Sequence, residues 1–247
     1  MLGRAGNPPA RRHPALTTTK NLEILAYEES PIGAICLRRR ELLSKPGTVV
    51  TEITLDHMML MSSWNSASEE ALSRCALELH PGRELRTLIG GLGLGCTAHA
   101  LLRSDRVAEL EVVEMLPQVI EWLAQGLVPL SDALNGDTRL TVNEGDVYAK
   151  LAKPPEHQHD LILVDVDHSP DEPLAEANAS FYTEAGLTRA KQHLTPDGLL
   201  GVWSYSDSPP FVEALGRVFR EVRVETESFY NPMVGEEETN WLFYARD

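Results

Sequence analysis

The stretch Leu88-Ile89-Gly90-Gly91-Leu92-Gly93-Leu94-Gly95 narrows the folds open to this chain more than any other part of it. It reads as a short apolar strand, a glycine-rich turn, and a helix beginning near Cys96. Glycines at 91, 93 and 95 allow backbone angles closed to other residues and let a ligand approach the main chain with no Cβ in the way. The helix then presents its unpaired N–H groups above the turn. A second strand, Leu110-Glu111-Val112-Val113-Glu114, ends in an acid 19 residues beyond Gly95. An acid at that spacing accepts both hydroxyls of a ribose. The ligand implied is a nucleoside, with Gly91, Gly93, Gly95, Glu114 and Met115 as contacts.

Strand and helix patterns alternate from there on, which predicts a parallel sheet with helices on both faces. Strands are expected at 86–90, 109–113, 139–143, 160–165 and 198–203. Helices are expected near 96–103, 116–124, 146–152, 180–193 and 210–219, and two closing strands lie around Phe229-Tyr230-Asn231-Pro232. The fold class is α/β: a Rossmann-like, doubly wound, mostly parallel seven-stranded sheet of the methyltransferase type. In front of it, segments 23–28, 33–38 and 48–55 alternate as a small antiparallel β unit, too small to stand alone. Ser66, with Glu69 three residues on, has the form of a capping box opening a helix. The domain plan is a disordered tail over 1–20, the β unit over 21–57, and the nucleoside-binding domain over 58–247.

A chain of 247 residues with 43% apolar content buries a full core. Its net charge of −15 argues against a nucleic-acid backbone as partner, and Arg38-Arg39-Arg40 is the one dense basic run. The acidity reads first as solubility, with attraction of a cationic substrate as a supporting point. No run approaches a membrane span. The first twenty residues hold Pro and Arg without an apolar h-region, so they read as a dispensable tail and not a signal peptide. Three isolated cysteines suggest neither disulfides nor a zinc site, and the expected compartment is the cytoplasm.

Ligands of open parallel sheets sit beyond the carboxyl ends of the strands. After the third strand comes Glu144-Gly145-Asp146, where Asp146 suits the exocyclic amine of an adenine or the N-cap of the next helix. After the fourth comes Asp165-Val166-Asp167-His168-Ser169-Pro170. Acids at a buried strand's exit are costly without a purpose, which makes Asp165 the leading catalytic candidate, with Asp167 and His168 behind it. An Asp-x-Asp-His run also suits a divalent metal, but no companion ligands recur at fixed spacing, so the metal reading is the weaker one and no metal is expected for the chain. Trp203, Tyr205 and Tyr230 are the candidate substrate contacts.

The order of Gly-rich turn, acid-ended strand, Gly-Asp, Val-Asp strand exit, Phe181-Tyr182-Thr183-Glu184-Ala185-Gly186-Leu187 and Leu194-Thr195-Pro196-Asp197-Gly198 resembles the spermidine synthases, the polyamine aminopropyltransferases. The resemblance covers roughly residues 22 to 245 at the level of domain organisation. It implies decarboxylated S-adenosylmethionine as co-substrate, its ribose on Glu114, its adenine near Gly145 and Asp146, and Asp165 taking the proton from an attacking amine. The acceptor would be a small cationic amine. Departures accompany it: Gly93 stands where the family's turn carries the acid that holds the donor's amino group. Met58-Met59-Leu60-Met61-Ser62-Ser63-Trp64 stands where the family has its Tyr-His-Glu element.

Carbon next to a sulfonium is already activated, so such an enzyme aligns the amine and keeps it neutral. A methyltransferase using intact S-adenosylmethionine is the second reading, favoured by the Gly-x-Gly-x-Gly turn. A noncatalytic relic of the fold is the third, and three acids kept at strand exits argue against it. Oligomeric state stays open, with a homodimer paired through the small β unit as one arrangement.

Overall fold

The computed structural model describes residues 17–18, 21–231 and 235–247. Strands β1 (Thr17–Thr18), β2 (Leu22–Ser30), β3 (Gly33–Glu41), β4 (Val49–Leu55) and β5 (Met58–Ser62) form an antiparallel sheet in that order. Of the expected tail, Thr17 and Thr18 pair with Ile24 and Glu23, and the rest lies outside the described residues. The sheet also runs past the expected boundary at 57, because β5 doubles back on β4 after a turn with Asp56 and His57 at positive φ.

Register explains the basic run. Arg38 lies opposite Glu52, and both Arg38 and Arg40 bond the Glu52 carboxylate, which is completely buried. Arg39 instead reaches across to the Leu127 carbonyl at 3.1 Å.

The main sheet comprises β6 (Leu85–Gly90), β7 (Val107–Glu114), β8 (Leu140–Glu144), β9 (His159–Val164), β10 (Leu194–Ser204), β11 (Glu221–Asn231) and β12 (Glu236–Arg246), in the order β11-β12-β10-β9-β6-β7-β8. Strands β10 to β8 are parallel, and the closing hairpin β11–β12 is antiparallel. The chain leaves β6 toward one edge and returns through β9 toward the other. That reversal puts a crevice between the ends of β6 and β9.

Helices α1 (Ala67–Leu79), α2 (Cys96–Leu102), α3 (Pro117–Ala124) and α4 (Ser131–Asn135) cover one face, and α5 (Val147–Leu151), α6 (Glu184–Lys191) and α7 (Pro209–Val218) the other. Alternation along β6 sends Ile89 into the first core and Leu88 into the second. Ile35, Leu37 and Ile53 of the small sheet join the first core, and Trp122 of α3 donates to Glu28 at 3.1 Å. The two sheets therefore share one interior.

Two local expectations are corrected. The helix expected over 180–193 is a 3-10 turn, Glu176–Ser180, followed by α6, because the Thr183 hydroxyl accepts the Gly186 N–H and starts the helix there. Ser66 makes no capping bond: its hydroxyl goes to Glu70 at 2.9 Å, and Asn65 accepts the Ala67 N–H instead. Glu69 is thereby released from the capping role.

Candidate active site

The crevice is a cleft of about 1150 Å³, counting its open mouth, with β6 to β10 below it and Ile53, Leu60 and Met61 of the small sheet above. The glycine-rich turn enters it with Gly91 and Gly93 at φ 92° and 51°. A Cβ on Gly91 would stand 2.2 Å from the Asp165 carbonyl oxygen, so only glycine lets β6 and β9 end side by side. A Cβ on Gly93 would meet the Met61 sulfur at 2.3 Å. Gly95 lies outside the cleft lining: at φ 86° it starts α2 against Leu134, a packing role in place of the expected ligand contact.

Glu114 is 8% exposed and accepts the backbone N–H groups of Leu92 and Leu116, each at 2.8 Å. Burial raises its pKa while those N–H groups oppose the shift. The acid expected on a ribose thus also staples the glycine-rich turn to β7, and its side chain still borders the cleft beside Met115. Asp146, next to Gly145 in the lining, caps α5 by accepting from Tyr148 N at 2.8 Å and Ala149 N at 3.2 Å, both through Oδ1. Capping and ligand contact are compatible, because Oδ2 takes no part in the cap.

The cleft lining also holds a pair of carboxyls, Asp165 and Glu69. Asp165 accepts from the Thr97 hydroxyl at 2.6 Å, and burial raises its pKa against that bond. Glu69, reaching in from α1, accepts from the Ser68 hydroxyl at 2.7 Å. Desolvation first, and the facing Asp165 second, push Glu69 up to about 7. Two desolvated acids in one electrostatic field favour a proton or a cation between them. No lysine or arginine lines the cleft among the described residues.

The other expected residues divide. Asp167 is 3% exposed and receives four donors: the Tyr148 and Tyr182 hydroxyls at 2.7 and 2.8 Å, Leu174 N at 2.7 Å and Asn178 Nδ2 at 2.9 Å. Its lone pairs are committed, so it ties the 165–182 loop to α5. His168 and Trp203 line the cleft, and the indole N–H of Trp203 is buried without a partner among the described residues. Tyr205 stands outside the lining, its hydroxyl held by Glu172 at 2.6 Å. Tyr230 is 62% exposed on β11, the edge strand, and is likewise not part of the cleft. The sequence reading missed Glu69, Thr97 and Met61, which come from three different elements, and the acid at 69 had a ready local explanation in the helix start.

Residues 65–212 match the family model of the spermine/spermidine synthase domain, and the chain belongs to that family. A polyamine aminopropyltransferase 2 of Streptomyces coelicolor is 31% identical over 129 residues, half of this chain and 23% of that protein. A polyamine aminopropyltransferase of Prochlorococcus marinus is 28% identical over 150 residues, 61% of this chain and 48% of that protein. The matched stretches thus span less than half the length of either curated relative. Among solved structures, a spermidine synthase in complex with the transition-state analogue AdoDATO superposes with a TM-score of 0.71 at 20% identity, covering 90% of this chain and 73% of that one. Human methyltransferase-like protein 13 with SAH superposes at 0.53 and 20% identity, over 72% of this chain and 82% of that one. These likenesses establish the doubly wound fold.

Proposed function

We propose that the chain transfers an aminopropyl group from decarboxylated S-adenosylmethionine to a small amine, with Glu114 on the ribose, Asp146 at the adenine and Asp165 as base. The observation that carries this is the carboxyl pair Asp165–Glu69 in a cleft whose described lining offers no lysine or arginine. An intact S-adenosylmethionine would bring its own carboxylate toward that pair, a like-charge contact in a poorly solvated site. The decarboxylated donor and an amine acceptor bring only cations.

In the reaction the amine lone pair attacks the aminopropyl carbon next to sulfur and the C–N bond forms. The C–S bond breaks with its electrons going to sulfur, which leaves as neutral methylthioadenosine. The proton displaced from the new ammonium passes to Asp165, with Glu69 sharing the charge. The apolar wall of Ile53, Leu60 and Met61 limits water around the sulfonium.

Methyl transfer is the second reading, favoured by Gly93, where an acid to hold a donor amine is absent. Incubation with each donor and a panel of amines separates the two by mass spectrometry. Methylthioadenosine formed only from the decarboxylated donor supports aminopropyl transfer, and S-adenosylhomocysteine from the intact donor overturns it.

A further inference from the structure

A second cluster lies away from the cleft, under α5 and at the entry to β9. Glu111 of β7 places Oε2 at 4.0 Å from His157 Nε2 and 3.7 Å from His159 Nε2. The donor atoms of the three residues lie within 4.8 Å of one another. In a tetrahedral zinc site with bonds of about 2.0–2.1 Å, neighbouring donors stand about 3.3 Å apart. Closing these three onto one ion takes shifts of roughly an ångström or less.

The state of His159 points to a ligand. Its side chain is 1% exposed, yet neither ring nitrogen has a hydrogen-bond partner among the described residues. An imidazole buried that way is costly, and Nε2 faces the Glu111 carboxylate beyond hydrogen-bond length. His193, its neighbour, is engaged elsewhere through Nε2 to the Lys153 carbonyl at 2.8 Å. The carboxylate is oriented too. Lys150 Nζ at 2.8 Å and Asn143 Nδ2 at 2.9 Å both take Oε1, which leaves Oε2 for the histidines.

We propose that Glu111, His157 and His159 form a binding site for a divalent transition-metal ion. Two imidazoles and one carboxylate suit zinc, with a fourth position open to water. The three side chains lie on the flank of the sheet opposite α1 to α4, so the ion pins the 155–159 segment to β7 and does not enter the cleft chemistry. The His-Gln-His spacing at a strand entry, which places both rings on one side, is its sequence signature.

Equilibrium dialysis of the untagged, chelator-stripped chain against zinc(II) is expected to give one bound ion per chain and a raised thermal midpoint. His157→Ala changes a half-exposed side chain outside the core, so the fold is retained. It should lower zinc affinity at least about tenfold and abolish the thermal rise. Cobalt(II) should show a four-coordinate visible spectrum that is lost in the same variant. Zinc binding that survives His157→Ala, or no binding at micromolar zinc, overturns the proposal and leaves these side chains an ion pair only.

Discussion

Desolvation and the facing Asp165 lift Glu69 from 4.5 to about 7, and that shift has a sign. Between those pH values the folded Glu69 binds more protons than the unfolded one, so the contribution of this group is fully present below 4.5 and is lost as pH rises through 7. The loss is at most about 3 kcal/mol, reduced by the part of Glu69 open to the cleft. Thermal midpoints should therefore decline from pH 5 to about pH 8, and Glu69→Gln should flatten the profile and raise the midpoint at the alkaline end. An unchanged profile in the variant would remove the pair from the electrostatics of the site. Asp165 separates chemistry from structure in a different way. Asp165→Asn keeps an acceptor for the Thr97 hydroxyl but takes up no proton, so donor affinity should hold while turnover falls by about 10² to 10⁴. The deficit should shrink as pH rises and free amine accumulates. Full turnover in a stable Asp165→Asn protein would defeat the proposed role.

At the scale of elements, the small sheet is held by a charge in its middle. Glu52 of β4 is fully buried against Arg38 and Arg40 of β3, whose side chains keep 30% and 27% exposure and so stay partly solvated when the carboxylate is neutralised. Glu52→Gln should cost about 1 to 3 kcal/mol for the lost charge-assisted bonds, read as a fall in the urea midpoint without a change in slope. The parallel strands were legible because buried runs such as Leu161-Ile162-Leu163-Val164 admit few alternatives. β5 was not, since Met58-Met59-Leu60-Met61 carries no alternation and becomes a strand only by pairing with β4. The site followed the same division. Glu114, Asp146 and Asp165 sit at strand ends, where sequence position predicts spatial position. Glu69 joins them through the packing of α1 on α2, a contact that no local pattern records. Tyr205 and Tyr230 stand outside the cleft lining because a residue near a strand end still has two faces to choose from: Tyr205 turns to Glu172 beside His168, and Tyr230 is on the edge strand.

The whole molecule carries a net charge of −15, and its proposed ligands are cations. If the field assists capture, KM for the amine should rise with ionic strength while affinity for neutral methylthioadenosine stays constant. Equal salt dependence of the two would assign the acidity to solubility alone. The two sheets meet where Met61 of β5 lies over Gly93, and that contact couples two positions far apart in the chain. An acid at 93 would take a left-handed backbone at φ 51° and push aside the flexible Met61 tip, so Gly93→Asp should destabilise the chain by about 1 to 2 kcal/mol, most of it backbone strain. Met61→Ala should restore only the part of that loss that comes from the side-chain contact, a coupling visible in a double-mutant cycle. Residues 61 and 93 therefore constrain each other across the two sheets: whichever changes first alters the cost of a change at the other.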